Sequence, residues 1–413
     1  MRVLIIGTNR PCHYRLQERG HQIVLFMPRH RIIADDLHGP YQHVVMLDDD
    51  TPTELWAATA AAFHANQPFD AVAAYNDQVQ ATAYAVAQHL GVPCTIDIDL
   101  LHLVANKADM RKALDQHGIP SCRYQFAQGR AALLAAIETI GFPCIVKPVA
   151  GEASEGVARI DNAAGIAEAL DWVGAANIET GVMVEEFLVG EEFSVEAISS
   201  NGQHHVVAIT KKFKDAKTFV EIGHLVPAPV PQADYLAIEQ YVKRILAAFG
   251  FNNTPSHTEL MLTADGPRII ETHTRIGGDR IIELVNYATG VDLYDLVAVQ
   301  SLGTDITPLL PATIVSNQSA AIWYADPSAS ESQQLAEVRG MTEIKQLSYI
   351  KAFDLIRKPG SRGSAVRHSF DRSALAIAVG ESPDQALERA RGAIKSLDFL
   401  YVWKPAAAVA EHA

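Results

Sequence analysis

Glu259 and Glu271 bracket the stretch of chain richest in groups that could do chemistry. Ala264-Asp265-Gly266 is a three-residue loop with glycine third, and it predicts a hairpin of residues 256–263 with 268–274. Pairing Thr263 with Pro267 then sets Glu259 opposite Glu271. Like charges directly across a strand pair are destabilising. A hard divalent cation compensates them, since magnesium takes one or two carboxylates and completes its shell with waters and phosphates. The period of two puts Glu271, His273 and Arg275 on one face. Arg275 can therefore stand beside such a metal and touch a transferred phosphoryl group. The plain alternative is two exposed carboxylates on a hairpin. The dense polar run Glu271-Thr272-His273-Thr274-Arg275-Ile276-Gly277-Gly278-Asp279-Arg280 weighs against it.

Two lysines form a second feature. Lys107 opens a helix, and Lys147 lies within an apolar strand, where it must reach solvent or an anion such as phosphate. The loop Ala150-Gly151-Glu152-Ala153-Ser154-Glu155-Gly156 follows Lys147, and its backbone amides could cradle phosphate oxygens. An edge-strand lysine with an ordinary hairpin loop is the other reading. The third feature is Val184-Glu185-Glu186-Phe187-Leu188-Val189-Gly190-Glu191-Glu192, an apolar strand running into acids. A carboxylate there can accept from ribose hydroxyls, and the backbone near Leu188 can read an adenine edge. A solvated acidic turn is the alternative.

These groups need elements to hold them. The first hundred residues alternate apolar runs (3–6, 22–26, 44–47, 69–74) with helical stretches at 53–66 and 78–90, the latter ended by Gly91 and Pro93. That order predicts a parallel sheet covered on both faces. No G-x-G-x-x-G follows the first strand, so a dinucleotide fingerprint is absent. Helices at 107–117 and 131–140 close at Gly118 and Gly141. The middle third is mostly antiparallel: strands at 144–148, 157–160, 182–188, 193–199 and 205–210, with Asn201-Gly202 as a hairpin turn. A helix spans 281–289. From about Pro311 the pattern weakens, with strands around 344–356 and 373–379. The capping box Ser382-Pro383-Asp384-Gln385 then starts a helix to about Ser396.

Composition sets the class. The chain has 413 residues, 48% apolar and 20% charged, which suits two or three globular domains and excludes disorder as the main state. No run approaches the length of a transmembrane helix. The N-terminal apolar run is too short for a signal segment, so the expected location is cytoplasmic. Lysine plus arginine is 34 and aspartate plus glutamate 48, giving 34 − 48 = −14. That sign argues against nucleic acid or an anionic membrane as partner. Cys12, Cys94, Cys122 and Cys144 are scattered without a CxxC, as expected of thiols in a reducing compartment.

Taken in order over roughly residues 1–310, these features resemble the ATP-grasp superfamily of carboxylate–amine ligases. The resemblance implies an α/β and α+β multidomain chain. Its parts are an N-terminal parallel α/β domain (1–103) and an ATP-grasp domain (104–310) with a lid subdomain at about 115–183 and an antiparallel core. A small C-terminal α+β module (311–413) follows. It places Lys107, Lys147, Ser154, Glu185, Glu186, Phe187, Leu188, Glu192 and Lys211 (or Lys212) at ATP. Glu259 and Glu271 would hold Mg2+, with Mn2+ as a substitute. Arg275 would steady the transferred phosphoryl, with Lys147 and the backbone of Gly277 and Gly278 completing the catalytic set.

Many members carry Glu-x-Asn where this chain has His273 as the third residue. Glu271-Thr272-His273-Thr274-Arg275-Ile276-Gly277-Gly278-Asp279, the run from Phe219 to Pro227 and the extra C-terminal module are similar to the L-amino acid ligase branch, which makes dipeptides. Substrate contacts are then expected from Glu221, His224, His257, His273, Asp279 and Arg280, with Asp77 a further candidate. Partners are ATP and two amino acids, and the oligomeric state stays open between monomer and homodimer. A ligase for a different carboxylate, of purine or natural-product type, would use the same ATP residues. A nucleotide-binding regulatory protein is the non-enzymatic alternative.

Overall fold

Short β-branched and aliphatic runs without internal proline become the strands of the N-terminal sheet. In the computed structural model, which describes residues 1–149, 151, 156–216, 218–327, 329–364 and 368–403, β1 is Arg2–Ile6, β2 Gln22–Pro28, β3 His43–Leu47 and β4 Ala71–Ala73. They form a parallel sheet in the order β3-β2-β1-β4. Leu4, Ile6, Val24, Phe26 and Val72 face Trp56, Ala60, Ala83 and Val86 of helices Thr53–Asn66 and Asp77–Leu90. Burial of these side chains holds the layer together, at about 1.5–3 kcal/mol for each large aliphatic one.

The remaining strands are β5 Tyr124–Ala127, β6 Cys144–Pro148, β7 Ala158–Ile160, β8 Val182–Glu186, β9 Gly190–Ser200, β10 Gln203–Lys214, β11 Glu221–Val226, β12 Thr254–Thr263, β13 Gly266–His273, β14 Ser319–Ala325, β15 Gln333–Arg339, β16 Ile350–Leu355, β17 Ala374–Gly380 and β18 Asp398–Trp403. The chain divides into two units. The first comprises Met1–Tyr124, Leu188–Ile209 and Val230–Val315. It holds the parallel sheet and the antiparallel run β13-β12-β9 with the start of β10. The second comprises Gln125–Phe187, Thr210–Pro229 and the described residues from Ser316 on. It holds the sheet β5-β8-β6-β7, the run from the end of β10 through β11-β14-β17-β16, and the pair β15-β18.

Local signals explain several elements. Asn201 and Gly202 both adopt positive φ, as a two-residue hairpin connection between β9 and β10 requires. Ser382 caps the helix Pro383–Lys395 by accepting from the Gln385 amide. Residues 344–356, expected as strand, instead divide into the helix Met341–Lys345 and β16.

The β12–β13 hairpin departs from expectation in a useful way. Its connection is two residues long, Ala264-Asp265, and Thr263 pairs with Gly266 rather than Pro267. The Thr263 hydroxyl donates to the Gly266 carbonyl at 2.8 Å, closing the loop one residue early. A bulge between Glu259 and Leu260 takes up the difference, so Glu259 still faces Glu271. The helix Lys107–Gln116 pins that bulge. Its fully buried Arg111 donates to the carbonyls of Ile269 (3.0 Å) and Ile270 (3.1 Å). Tyr241 completes the support, its hydroxyl accepting from the Ile269 amide and donating to the Pro120 carbonyl. Among the described residues no helix is long and apolar enough to cross a membrane.

Candidate active site

In the first unit, β9, β12 and β13 lie side by side and set their chemistry in rows. His257 on β12 pairs in register with Glu196 on β9 and with His273 on β13. Two residues along, Glu259 pairs with Ser194 and with Glu271. Glu192, opposite Met261, is two residues beyond Ser194 and shares the face by alternation. Acids and imidazoles thus tile one surface. The two imidazole rings stack with centroids 6.1 Å apart.

Each imidazole sits between carboxylates. His257 reaches Glu196 at 2.7 Å and Glu259 at 3.2 Å. Burial disfavours its charge, but the Glu196 and Glu259 carboxylates together outweigh burial and raise the imidazole to about 9. His273 reaches Glu271 at 3.3 Å and Asp77 at 3.2 Å. Here too burial opposes the charge, and the bonds to Asp77 and Glu271 overcome it, so protonation is favoured. Lys107 stands 3.3 Å from Glu271. Burial works to raise the Glu271 carboxyl, yet the Lys107 charge and His273 hold it well below its usual range.

Arg275 donates from Nε to Asp77 at 2.6 Å and from a terminal nitrogen to the Ile276 carbonyl. Asp77 is the first residue of the helix Asp77–Leu90, just past β4. Burial pushes its carboxyl up, but His273 and Arg275 bring it down, net below its ordinary value.

Glu196 carries no sequence motif and escapes sequence reasoning. Its side chain is buried and accepts from His257, from the Ser194 hydroxyl and from the Gly277 amide. Only its alternation with Glu192 and Ser194 on β9 could have pointed to it. Its bond also bears on the backbone expected at the oxyanion. The Gly277 N–H donates to Glu196 at 3.1 Å. A Cβ on Gly277 would lie 2.8 Å from Glu196 Oε2 and 2.9 Å from His257 Nδ1, so the loop rests directly on that pair. Asp279 and Arg280 both take positive φ, and Arg280 grips Glu283 through two bonds of 2.6 Å.

The second unit holds the remaining candidates. β6 is flanked by β8 and β7, so Lys147 is not on an edge. It meets Glu185 of β8 at 2.7 Å, and both are buried. Glu186 ends β8. Phe187 follows, donating its amide to the Pro143 carbonyl and receiving the Arg159 guanidinium over its ring at 4.0 Å. Ser154 lies outside the described residues. On β10, Lys211 faces Leu225 and Lys212 faces His224 of β11.

Glu221 is contacted by Lys212 at 3.3 Å, Lys214 at 3.5 Å and the Ser369 hydroxyl at 2.9 Å. That much positive charge makes it an anchor for lysines more than a ready acceptor for a substrate cation. His224 is buried with its ring edge-on to Tyr324. Leu188 belongs to the link between β8 and β9, since β8 stops at Glu186.

Glu259 and Glu271 supply hard oxygens from facing positions, a donor set that fits a magnesium ion completed by waters and phosphates. Among the described residues no group of three or more His, Cys, Asp or Glu side chains is arranged to cage a metal. A two-carboxylate site that leaves most positions to other oxygens is consistent with that.

Residues 140–283 match the ATP-grasp domain family, and residues 330–402 match L-amino acid ligase C-terminal domain 2. An uncharacterised protein of Sinorhizobium fredii is 25% identical over 324 residues, covering 77% of this chain and 66% of that protein. The alanine–anticapsin ligase of Bacillus subtilis is 26% identical over 215 residues, covering 46% of this chain and 45% of that enzyme. The chain thus spans about half to two thirds of the length of these curated relatives. The crystal structure of an L-amino acid ligase from Bacillus licheniformis has the same fold, with a TM-score of 0.85 at 24% identity over 97% of this chain and 98% of that one.

Proposed function

The chain belongs to the ATP-grasp superfamily, and from that premise we propose that it is an ATP-dependent carboxylate–amine ligase joining the carboxylate of one L-amino acid to the amine of another. The product is a dipeptide, with ADP and phosphate released, by way of an acyl phosphate. The observation that carries this reading is the facing pair Glu259 and Glu271, with Arg275 two residues past the end of β13 and held there by Asp77. The C-terminal domain match supports the amino-acid branch.

Roles follow from the charges. Glu259 and Glu271 would hold Mg2+, which when bound supplies Lewis-acid neutralisation of phosphate oxygens. Lys107 and Lys147 are assigned to ATP phosphates, where point charges suit a dispersed negative charge. Glu185, Glu186, Phe187, Leu188 and Glu192 are assigned to the nucleoside, and Lys211 or Lys212 to a further phosphate contact. Arg275 stabilises the phosphoryl group as it leaves ATP and the oxyanion formed when the amine attacks. The backbone around Gly277 and Gly278 is the candidate at that oxyanion. No nucleophilic side chain is required, because the substrate carboxylate is itself the nucleophile. Exclusion of water matters, since an acyl phosphate hydrolyses readily.

The substrate contacts proposed are His224, His257, His273, Asp279 and Arg280, with Glu221 acting through Lys212 and Lys214. The test is phosphate release from ATP and Mg2+ across a grid of paired L-amino acids, with product masses. A mass equal to two amino acids less one water establishes dipeptide ligation. Release only with some other carboxylate moves the substrate class within the superfamily.

A further inference from the structure

The helix Asp77–Leu90 grips the end of β13 with two residues one turn apart. Asp77 accepts from Arg275 Nε at 2.6 Å and contacts His273 Nδ1 at 3.2 Å through the same oxygen. Gln80 holds the residue between them. Its amide donates to the Thr274 carbonyl at 3.1 Å, and its carbonyl accepts from the Thr274 hydroxyl at 3.0 Å. Three consecutive residues, the last of β13 and the two that follow it, are thus fixed by one helical turn. Asp77 is itself well held, because a carboxylate in the first turn of a helix is favoured by the exposed amides there.

We propose that Asp77 is a positioning residue that orients the Arg275 guanidinium and the His273 ring for phosphoryl transfer. The proposal rests on the role given to Arg275 above. A long arginine carries about 2 kcal/mol of rotamer entropy. Anchoring Nε removes that freedom before substrate arrives, so the donors meant for the phosphoryl group need not be ordered during the reaction. Asp77 would touch neither substrate nor phosphate. Its effect passes through the two side chains it holds.

Asp77→Asn keeps the shape and removes the charge, and Asp77→Glu restores the charge at a shifted reach. The expected result for Asp77→Asn is a kcat lower by on the order of 10²-fold, the scale of a small misplacement of a catalytic group, with the KM for ATP and the thermal midpoint unchanged. Asp77→Glu should recover part of the rate. A kcat equal to wild type in Asp77→Asn would overturn the proposal. So would a lost rate that Asp77→Glu fails to recover together with a lowered midpoint, which is the signature of a structural role.

A second readout needs no substrate. In protein labelled with 15N-arginine, the Arg275 Nε–H signal, assigned by its absence in Arg275→Lys, should be protected from exchange. It should lose protection in Asp77→Asn and keep it in Asp77→Glu, and unchanged protection in Asp77→Asn sinks the idea. If wild type joins no amino-acid pair, the ligase reading fails, and the resonance still decides whether Asp77 orients Arg275.

Discussion

Lys107 Nζ stands 3.3 Å from Glu271 Oε2, so the carboxylate proposed to hold a metal already has a cation at its side. Lys107 begins its helix behind the cap Asn106, whose side chain accepts from the amides of Ala108 and Asp109. The lysine is therefore delivered by a fixed helix start. Glu271→Ala should abolish metal-dependent ATP hydrolysis while the circular dichroism spectrum and melting curve stay those of a folded protein. Wild-type turnover in that variant would remove the metal assignment.

The Lys147–Glu185 pair is buried, and its two members should behave as a unit. Removing one charge strands the other, so Glu185→Leu alone should cost about 3–5 kcal/mol. Replacing both, as Lys147→Met with Glu185→Leu, should return stability close to wild type or above it. Nucleotide binding, followed with a fluorescent ATP analogue, should be weaker in the double variant than in Glu185→Leu if Lys147 contacts phosphate. Denaturant titrations that show the double variant as unstable as the single would mean the two charges are not coupled.

Arg111 makes a sharper case. Arg111→Met takes a donor from the buried Ile269 carbonyl, at about 1–3 kcal/mol, and from the half-buried Ile270 carbonyl at less. The bulge they belong to keeps Glu259 opposite Glu271. The variant should therefore lose metal-dependent activity to a greater degree than its lowered stability explains. Hydrogen exchange should show faster opening of the β12 and β13 amides. Exchange unchanged along both strands would separate the bulge from Arg111.

How much of this was visible beforehand depends on the range of the interaction. Glu259 facing Glu271 follows from two alternating strands and a turn, all within one short stretch. The turn itself was one residue shorter than expected, because the bulge that compensates is set by Arg111 and Tyr241, which come from other helices. Lys147 was noticeable as a charge in an apolar run, but its central position in the sheet depends on β8. Glu196 and Asp77 act on residues far along the chain, and nothing near them in sequence marks their partners. In the C-terminal part, β14, β15 and β18 were not distinguished, since β14 is buried in alanine-rich company and the other two alternate weakly. The helix after Ser382 was legible because its cap is local.

Gly277→Ala tests the loop that lies on Glu196 and His257. A Cβ there meets Glu196 Oε2 at 2.8 Å, closer than side-chain atoms tolerate, so the loop or the acid must move. Arg275 lies two residues upstream and Asp279 two downstream. The expected result is a lower kcat for ligation, beyond what any lowered thermal midpoint explains. Steady-state kinetics beside a thermal melt provide the check. A variant with full activity would show that the loop's seat on Glu196 is dispensable.

His13 gives a pH prediction away from the site. It is fully buried, contacting Tyr41 Oη at 2.9 Å through Nδ1 and the Thr8 carbonyl at 3.2 Å through Nε2. The neutral ring satisfies both if Nε2–H donates and Nδ1 accepts. Burial is the main reason its imidazole is pushed down from 6.5 to about 3. Between those values the unfolded chain binds a proton that the folded chain does not, so stability rises with pH there. The contribution is complete above the unfolded value of 6.5 and is lost as pH falls toward 3, at about 1.4 kcal/mol per pH unit. His13→Gln can still donate to the Thr8 carbonyl and cannot titrate. Urea titrations from pH 7 to pH 5 should show wild type losing more stability than His13→Gln. Parallel curves for the two proteins would mean that His13 carries a proton in the folded state.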